Sequence, residues 1–205
     1  MFIDALKQIK IGLILLVLFT VFTGLIYPIV VTGIAQLFFP WKANGSLVEQ
    51  NGKIIGSSLI GQSFNSPNYF WGRPSATSPY PYNAASSSGS NMGPSNPTFL
   101  ETIKDRVNHL KQSNPKNNNL IPVDLVTASG SGLDPEISPL AAFYQVPRIA
   151  QESHISENEI ETLINGLIKN RTLGILGEPR INVLELNIAL DKLRNAHGRA
   201  TSQSG

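Results

Sequence analysis

The residues best placed to do chemistry fall in one short string, Ser129-Gly130-Ser131-Gly132, with Asp124, Asp134 and Glu136 nearby in sequence. A glycine-rich turn cradles phosphate when backbone amides converge and a lysine reaches the anion, as in G-x-x-x-x-G-K-[ST]. No such string occurs here, and the next cation after the turn is Arg148. A nucleophile elbow requires G-x-S-x-G, and this turn begins with serine. The residues alone therefore favour a tight structural turn over a phosphate-binding one. Three histidines, His109, His154 and His197, are scattered, and the chain has no cysteine. Neither fact gives a ligand spacing for a metal, and each histidine reads as a surface residue. Asp134-Pro135 suits a turn better than an acid/base pair. Nothing in these groups argues for catalysis by this chain alone. Arg73 stands apart as the single charge between Ile54 and Leu100, directly before Pro74. Such a cation is either paired with a carboxylate in the fold or offered to a partner.

The elements that must position these residues divide into unlike halves. From Ile54 to Leu100 the chain is rich in Ser, Asn, Gly, Pro and Tyr. Lys53-Ile54-Ile55-Gly56, Leu59-Ile60 and Tyr69-Phe70-Trp71 are β-prone fragments separated by turn residues. A long, nearly uncharged loop carrying Phe64, Tyr69, Phe70, Trp71, Tyr80 and Tyr82 reads as a binding surface rather than a disordered tether. From Thr98 onward, 12 acidic and 11 basic residues follow helical periodicities. Thr98-x-x-Glu101, Ser156-x-x-Glu159 and Asn182-x-x-Glu185 are helix starts, as is Ser138 before Pro139. Leu100, Ile103, Val107 and Leu110 are spaced for one face, and Ile121 to Thr127 is expected as a strand. The fold class is α+β, a small mixed sheet against several helices.

One segment sets the location. From Ile11 to Trp41 the chain runs 31 residues without a charge, between Lys10 and Lys42. A bilayer core needs about 20 apolar helical residues, and only a helix pairs its backbone polar groups within one strand of chain. A cleaved signal peptide has a shorter apolar stretch of about 7–15 residues and a small-residue exit; the exit here is Leu37-Phe38-Phe39-Pro40-Trp41. Tyr27 and Pro28 fall mid-span among Thr20, Thr23, Gly24, Thr32 and Gly33, a composition that suits a helix docked on another helix. Flanking charges nearly tie, so the short leading segment decides for a cytoplasmic N-terminus and an external headpiece. The expected organisation is residues 1–10 cytoplasmic, 11–40 transmembrane helix, 41–193 extracytoplasmic α+β domain, and 194–205 disordered tail. A net charge of +2 argues against nucleic acid or an acidic partner.

Longer strings carry a resemblance. They are Tyr27-Pro28, Phe39-Pro40-Trp41-x-Ala43-Asn44-Gly45-Ser46-Leu47, Leu59-Ile60-Gly61-Gln62-x-Phe64 and Tyr69-Phe70-x-Gly72-Arg73-Pro74-Ser75-Ala76-Thr77. Further on stand Pro81-Tyr82-Asn83, Gly89-Ser90-Asn91, Leu125-Val126-Thr127-Ala128-Ser129-x-Ser131-Gly132-Leu133-Asp134 and Asn182-Val183-Leu184-Glu185-Leu186-Asn187. In this order, and from the span to Leu193, they closely resemble the C subunit of the bacterial Kdp potassium-transporting P-type ATPase. The resemblance implies a bacterial inner-membrane, single-pass, non-catalytic subunit. Its implied partners are a channel-like potassium-binding subunit, a P-type ATPase subunit and a small membrane peptide, besides membrane lipid. It implies no tightly bound cofactor, with ATP and K+ handled by the complex, and a chaperone-like role that raises the ATPase subunit's affinity for ATP. Partner contacts are expected at Tyr27, Pro28, Gln62, Phe64, Tyr69, Phe70, Arg73, Tyr82 and Asn83. Through its likeness to transporter signature loops, the turn Ser129, Gly130, Ser131, Gly132 and Asp134 would be the nucleotide-related element. An external headpiece meets no ATP, so any effect on nucleotide affinity would have to pass through the membrane helix. The competing expectation is a membrane-anchored envelope hydrolase or ligand-binding domain acting alone, which would need a nucleophile with a base or a charged pocket.

Overall fold

The computed structural model of the chain describes residues 2–203. They form two compact units, Met1–Leu47 and Val48–Gly205.

The first unit is mostly one continuous helical rod: α1 (Phe2–Val21), a π-turn (Phe22–Ile26) and α2 (Tyr27–Phe38). Its Ile3–Phe38 stretch, 36 residues with a mean hydropathy of 2.6 in its most apolar window and 0% of that window buried, has the length and composition to cross a membrane. A core helix would be covered; this one is bare, which fits a membrane-anchored protein. The π-turn has a local cause. Pro28 has no N–H, and its ring would press on the carbonyl four residues back, that of Gly24. Widening the preceding turn relieves that clash, and Tyr27 N–H reaches back five residues to Phe22 O. Thr20 and Thr23 hydroxyls donate to Leu16 O and Phe19 O at 2.8 and 2.7 Å, satisfying themselves within the helix. Phe39 leaves helical geometry, Pro40 starts the short α3 (Pro40–Ala43), and Trp41 Nε1 donates to Leu47 O at 2.9 Å.

The second unit is α+β. Strands β1 (Leu47–Gln50) and β2 (Lys53–Ser57) form a hairpin. Asn51 and Gly52 make its two-residue turn with φ of 53° and 75°, the left-handed pair that such a turn demands. Helix α4 (Pro97–Ser113) follows the long loop, then a 3-10 turn (Val123–Leu125) and β3 (Glu136–Ile137). Next come α5 (Pro139–Ser153), α6 (Glu157–Leu167), β4 (Ile181–Asn182) and α7 (Val183–Gln203). β3 and β4 pair antiparallel, Glu136 opposite Asn182 and Ile137 opposite Ile181. The core joins α5, α6 and α7 through Ala141, Ile149, Ile160, Ile164, Leu186 and Leu190, all at 0% exposure.

Several expectations hold and several do not. Ser138 caps α5 by accepting from Ala141 N at 3.1 Å, and Ser156 with Glu159 forms the reciprocal box on α6. Asn182 Oδ1 accepts from Glu185 N at 3.0 Å at the start of α7. Helix α4, however, is capped by Asn96 rather than Thr98: Pro97 is preset for the first helical position, so the residue before it takes the cap. Leu100 is 54% exposed and leaves the face expected of it. Residues 121–127 fold as a 3-10 turn instead of a strand. Pro122 has no donor for a ladder, and Asp124 turns its carboxylate onto Ser138 N at 2.7 Å. The strands make two separate antiparallel pairs, not one mixed sheet. The tail differs too: α7 continues through residues 194–203, where Arg194 stacks 4.9 Å from the Tyr69 ring centre and His197 lies 2.9 Å from Glu159. The last two residues of that expectation lie outside the described residues.

Candidate functional site

The long loop of the second unit wraps onto the glycine turn and onto α5 and α7, held by side chains and single backbone bonds rather than by strands. Tyr69-Phe70-Trp71 has strand chemistry but no strand partner. Two buried carboxamides supply one. Asn187 accepts from Phe70 N at 2.8 Å and donates to Phe70 O at 3.0 Å. Gln145 accepts from Trp71 N at 2.8 Å and donates to Trp71 O at 3.2 Å. Each amide acts as a one-residue length of β ladder, which lets Phe70 enter the core with no backbone group orphaned. Arg148 completes the clamp. It is buried, lies 3.9 Å from the Trp71 ring centre, and donates to the carbonyls of Pro67 and Tyr69 and to Gln145 Oε1. Desolvation lowers its pKa to about 10, which still leaves it charged at neutral pH.

The glycine turn is locked by the same loop. Leu133 O accepts from Gly61 N at 2.8 Å, Gly132 O from Ser75 Oγ at 2.7 Å, and Ser131 O from Ser88 N at 3.0 Å. Gly132 sits at φ +66°, and a Cβ there would lie 2.6 Å from Ser88 O. The turn therefore presents carbonyls to the loop, whereas a phosphate cradle presents amides. Two of its amides are engaged internally, Gly132 N on Ser129 O and Leu133 N on Ser131 Oγ. Ser129 is buried, Gly130 and Ser131 are exposed, and Asp134 is half-buried. Arg73 resolves toward the fold: its guanidinium is 3.2 Å from Asp134, both side chains about a quarter to a third exposed, and it also donates to Ala128 O. Tyr82 donates to Arg73 O at 2.6 Å. Burial first, then Asp134, pushes its phenol up to about 12, with Arg73 opposing.

Of the expected partner residues, Phe70 and Asn83 are buried and present almost no surface. Asn83 holds the Ser78 carbonyl and the Ala85 amide. Gln62 donates to Ile55 O at 2.8 Å and occupies the space a side chain at Gly56 would need. Phe64 and Tyr69 rings meet at 5.8 Å, and Tyr69 donates to Asp191. Burial and Asp191 raise the pKa of Tyr69. In the other unit, Tyr27 is 67% exposed beside Pro28. The loop and α4 enclose a cleft of about 570 Å³ lined by Phe64, Trp71, Arg73, Tyr82, Arg106 and His109. His109 stacks on Trp71 at 5.2 Å, and Arg106 donates to Val126 O at 2.7 Å. Among the described residues, no three His, Cys, Asp or Glu side chains converge to hold a metal.

Gln145, Arg148 and Asn187 were not singled out by sequence reasoning. Their signal was positional, since each interrupts the apolar stripe of a helix at a buried register and so must find a partner inside.

An apolar membrane anchor followed by an α+β domain, built around a loop clamped by buried amides, defines a single-pass membrane protein. A sequence model described as "KdpC: K+-transporting ATPase, c chain" matches residues 9–192, and the chain belongs to this family. It is 54% identical to the potassium-transporting ATPase KdpC subunit of Methylococcus capsulatus over 189 residues, 92% of this chain and 100% of that one. It is 58% identical to that of Herpetosiphon aurantiacus over 180 residues, 88% and 93% of the two chains.

Proposed function

We propose that this chain is a non-catalytic accessory subunit of an ATP-driven, high-affinity potassium uptake complex in the bacterial inner membrane. The observation that carries the reading is the match along nearly the whole length, anchor included, to relatives named as subunits of a potassium-transporting ATPase. The anchor docks against the membrane helices of a channel-like subunit and a P-type ATPase subunit, with the small membrane peptide as neighbour. Tyr27 carries a hydroxyl at mid-span where lipid offers none, which favours a protein partner there. The N-terminus is cytoplasmic and the α+β unit external.

In this arrangement the subunit stabilises the assembled complex. A rise in the ATPase subunit's affinity for ATP is then a coupling free energy: one assembled state binds nucleotide more tightly, and docking of the anchor favours that state. The inward carbonyls of the glycine turn support this indirect route over nucleotide contact.

The test is recovery of tagged full-length protein from detergent-solubilised membranes of cells grown at limiting potassium. Co-recovery of a large P-type ATPase and a channel-like protein in fixed ratio is expected. A chain recovered alone, stable and monodisperse, would overturn the reading in favour of an envelope domain acting by itself.

A further inference from the structure

Helix α4 ends on a polar turn where two buried groups lack partners. Asn114, its C-terminal cap, is 7% exposed, and Tyr144 of α5 is 5% exposed. Asn114 Nδ2 and the Tyr144 hydroxyl are both shut off from solvent, and neither has a hydrogen-bond partner. A buried donor without an acceptor is destabilising, so native folds seldom keep one unless something else bonds it. Here two occur together, since both residues line one cavity of about 510 Å³. Its walls come from the end of α4, the turn that follows and α5. The turn is tied to Tyr144 itself, because Asn117 Nδ2 donates to Tyr144 O at 2.9 Å. A single water takes about 30 Å³, so the space admits something larger.

Charge decides what fits. Between Asp105 and Asp124 the chain carries Arg106, Lys111 and Lys116 and no carboxylate. Lys111 is exposed and lines the cavity; among the described residues no Asp or Glu does. Glu157 and Glu161 belong to the adjoining cavity, which Tyr144 also lines. Burial raises the Tyr144 pKa, so its phenol keeps its proton at neutral pH and can donate. An amide N–H, a phenol O–H and an ammonium together call for acceptor oxygens that bear negative charge.

The end of a helix disfavours an anion where its last carbonyls are bare. Here Ser113 Oγ donates to Leu110 O at 2.9 Å and Asn117 N to Asn114 O at 3.1 Å, which engages two of them. Tyr144 is the single aromatic in the described walls and is buried, so no ring face is offered to a nucleobase. The ligand is therefore small.

We propose that this cavity binds a small oxyanion, a carboxylate or a phosphate, through Asn114 Nδ2, the Tyr144 hydroxyl and the Lys111 ammonium. The site does not depend on the accessory-subunit reading. The test is isothermal titration of the full-length protein in detergent with sodium phosphate and, separately, sodium acetate, at constant ionic strength. Saturable binding of one anion per chain is expected for at least one of them, and the one that binds assigns the class. Asn114→Asp, nearly isosteric, replaces a donor with a carboxylate and should weaken binding about tenfold or more. Lys111→Gln alters an exposed side chain, so it should keep the wild-type melting temperature and weaken binding about threefold. Tyr144→Phe removes a hydroxyl that has no partner in the fold. Without anion it should melt no lower than wild type, while its affinity falls about fivefold. Absence of saturable binding to the wild type would overturn the site in favour of bound water. Wild-type affinity in both Lys111→Gln and Tyr144→Phe would overturn it too, by placing the anion elsewhere.

Discussion

Asn187 shows how much of this fold hangs on single polar atoms. Its carboxamide satisfies both backbone groups of Phe70, all of them buried. Asn187→Ala would leave an N–H and a C=O without partners away from water, at about 1–3 kcal/mol for each orphaned group. We expect the variant to lose about 2–4 kcal/mol of stability in thermal or urea unfolding; a loss below ~1 kcal/mol would show that water reaches the site. The sequence announces such residues only as polar interruptions of a helical stripe. Arg148 and Gln145 interrupt α5 in the same way, yet which carbonyl each would meet depends on a loop more than 70 residues away. Arg73 was legible as a residue in need of a partner, but its choice of Asp134 follows from the turn's placement. Phe70 and Asn83 looked available because aromatic and amide side chains in a loop resemble a surface; Phe70 is buried by a clamp assembled from distant helices, and Asn83 is held within its own loop by Thr77, Ser78 and Ala85.

At the scale of elements, the glycine turn and the loop are one device. Gly132→Ala would push a methyl to within 2.6 Å of Ser88 O and force alanine into a left-handed φ of +66°. We expect it to destabilise the domain by about 2–4 kcal/mol and to speed proteolytic cutting of the loop. Gly130→Ala, with nothing within 4 Å of the added carbon, should stay within about 1 kcal/mol of wild type. Equal effects of the two would mean that the turn is not locked. Helix starts were well read because caps are local: Ser138, Ser156 and Asn182 each bond the residue three positions on. The reading failed where proline overrode it, shifting the α4 cap to Asn96, and where a β-prone run lacked a neighbouring strand, at residues 121–127 and 69–71. Pro28 was legible as a disturbance of the span. Its form, a π-turn one helical turn earlier, follows from the proline ring and the carbonyl of Gly24.

For the whole molecule, the anchor was legible from charge alone, because an uncharged run of that length admits few alternatives. The α+β class followed from the periodicities, and family membership from strings spread over the chain. The open tip of the hairpin after α6 was not legible, since exposure of Leu173, Ile175 and Leu176 is a tertiary fact that apolar residue types by themselves contradict.

The central claim is that this chain works through a complex and not by chemistry of its own. The most direct measurement is ATP hydrolysis, as a function of ATP concentration and potassium, by the detergent-purified complex with and without this subunit and by the subunit alone. The account predicts no hydrolysis by the subunit alone. It predicts loss of potassium-stimulated hydrolysis, or a raised KM for ATP, when the subunit is missing, with restoration on adding it back. Full potassium-stimulated activity at unchanged KM in its absence, or hydrolysis by the isolated chain, would contradict it.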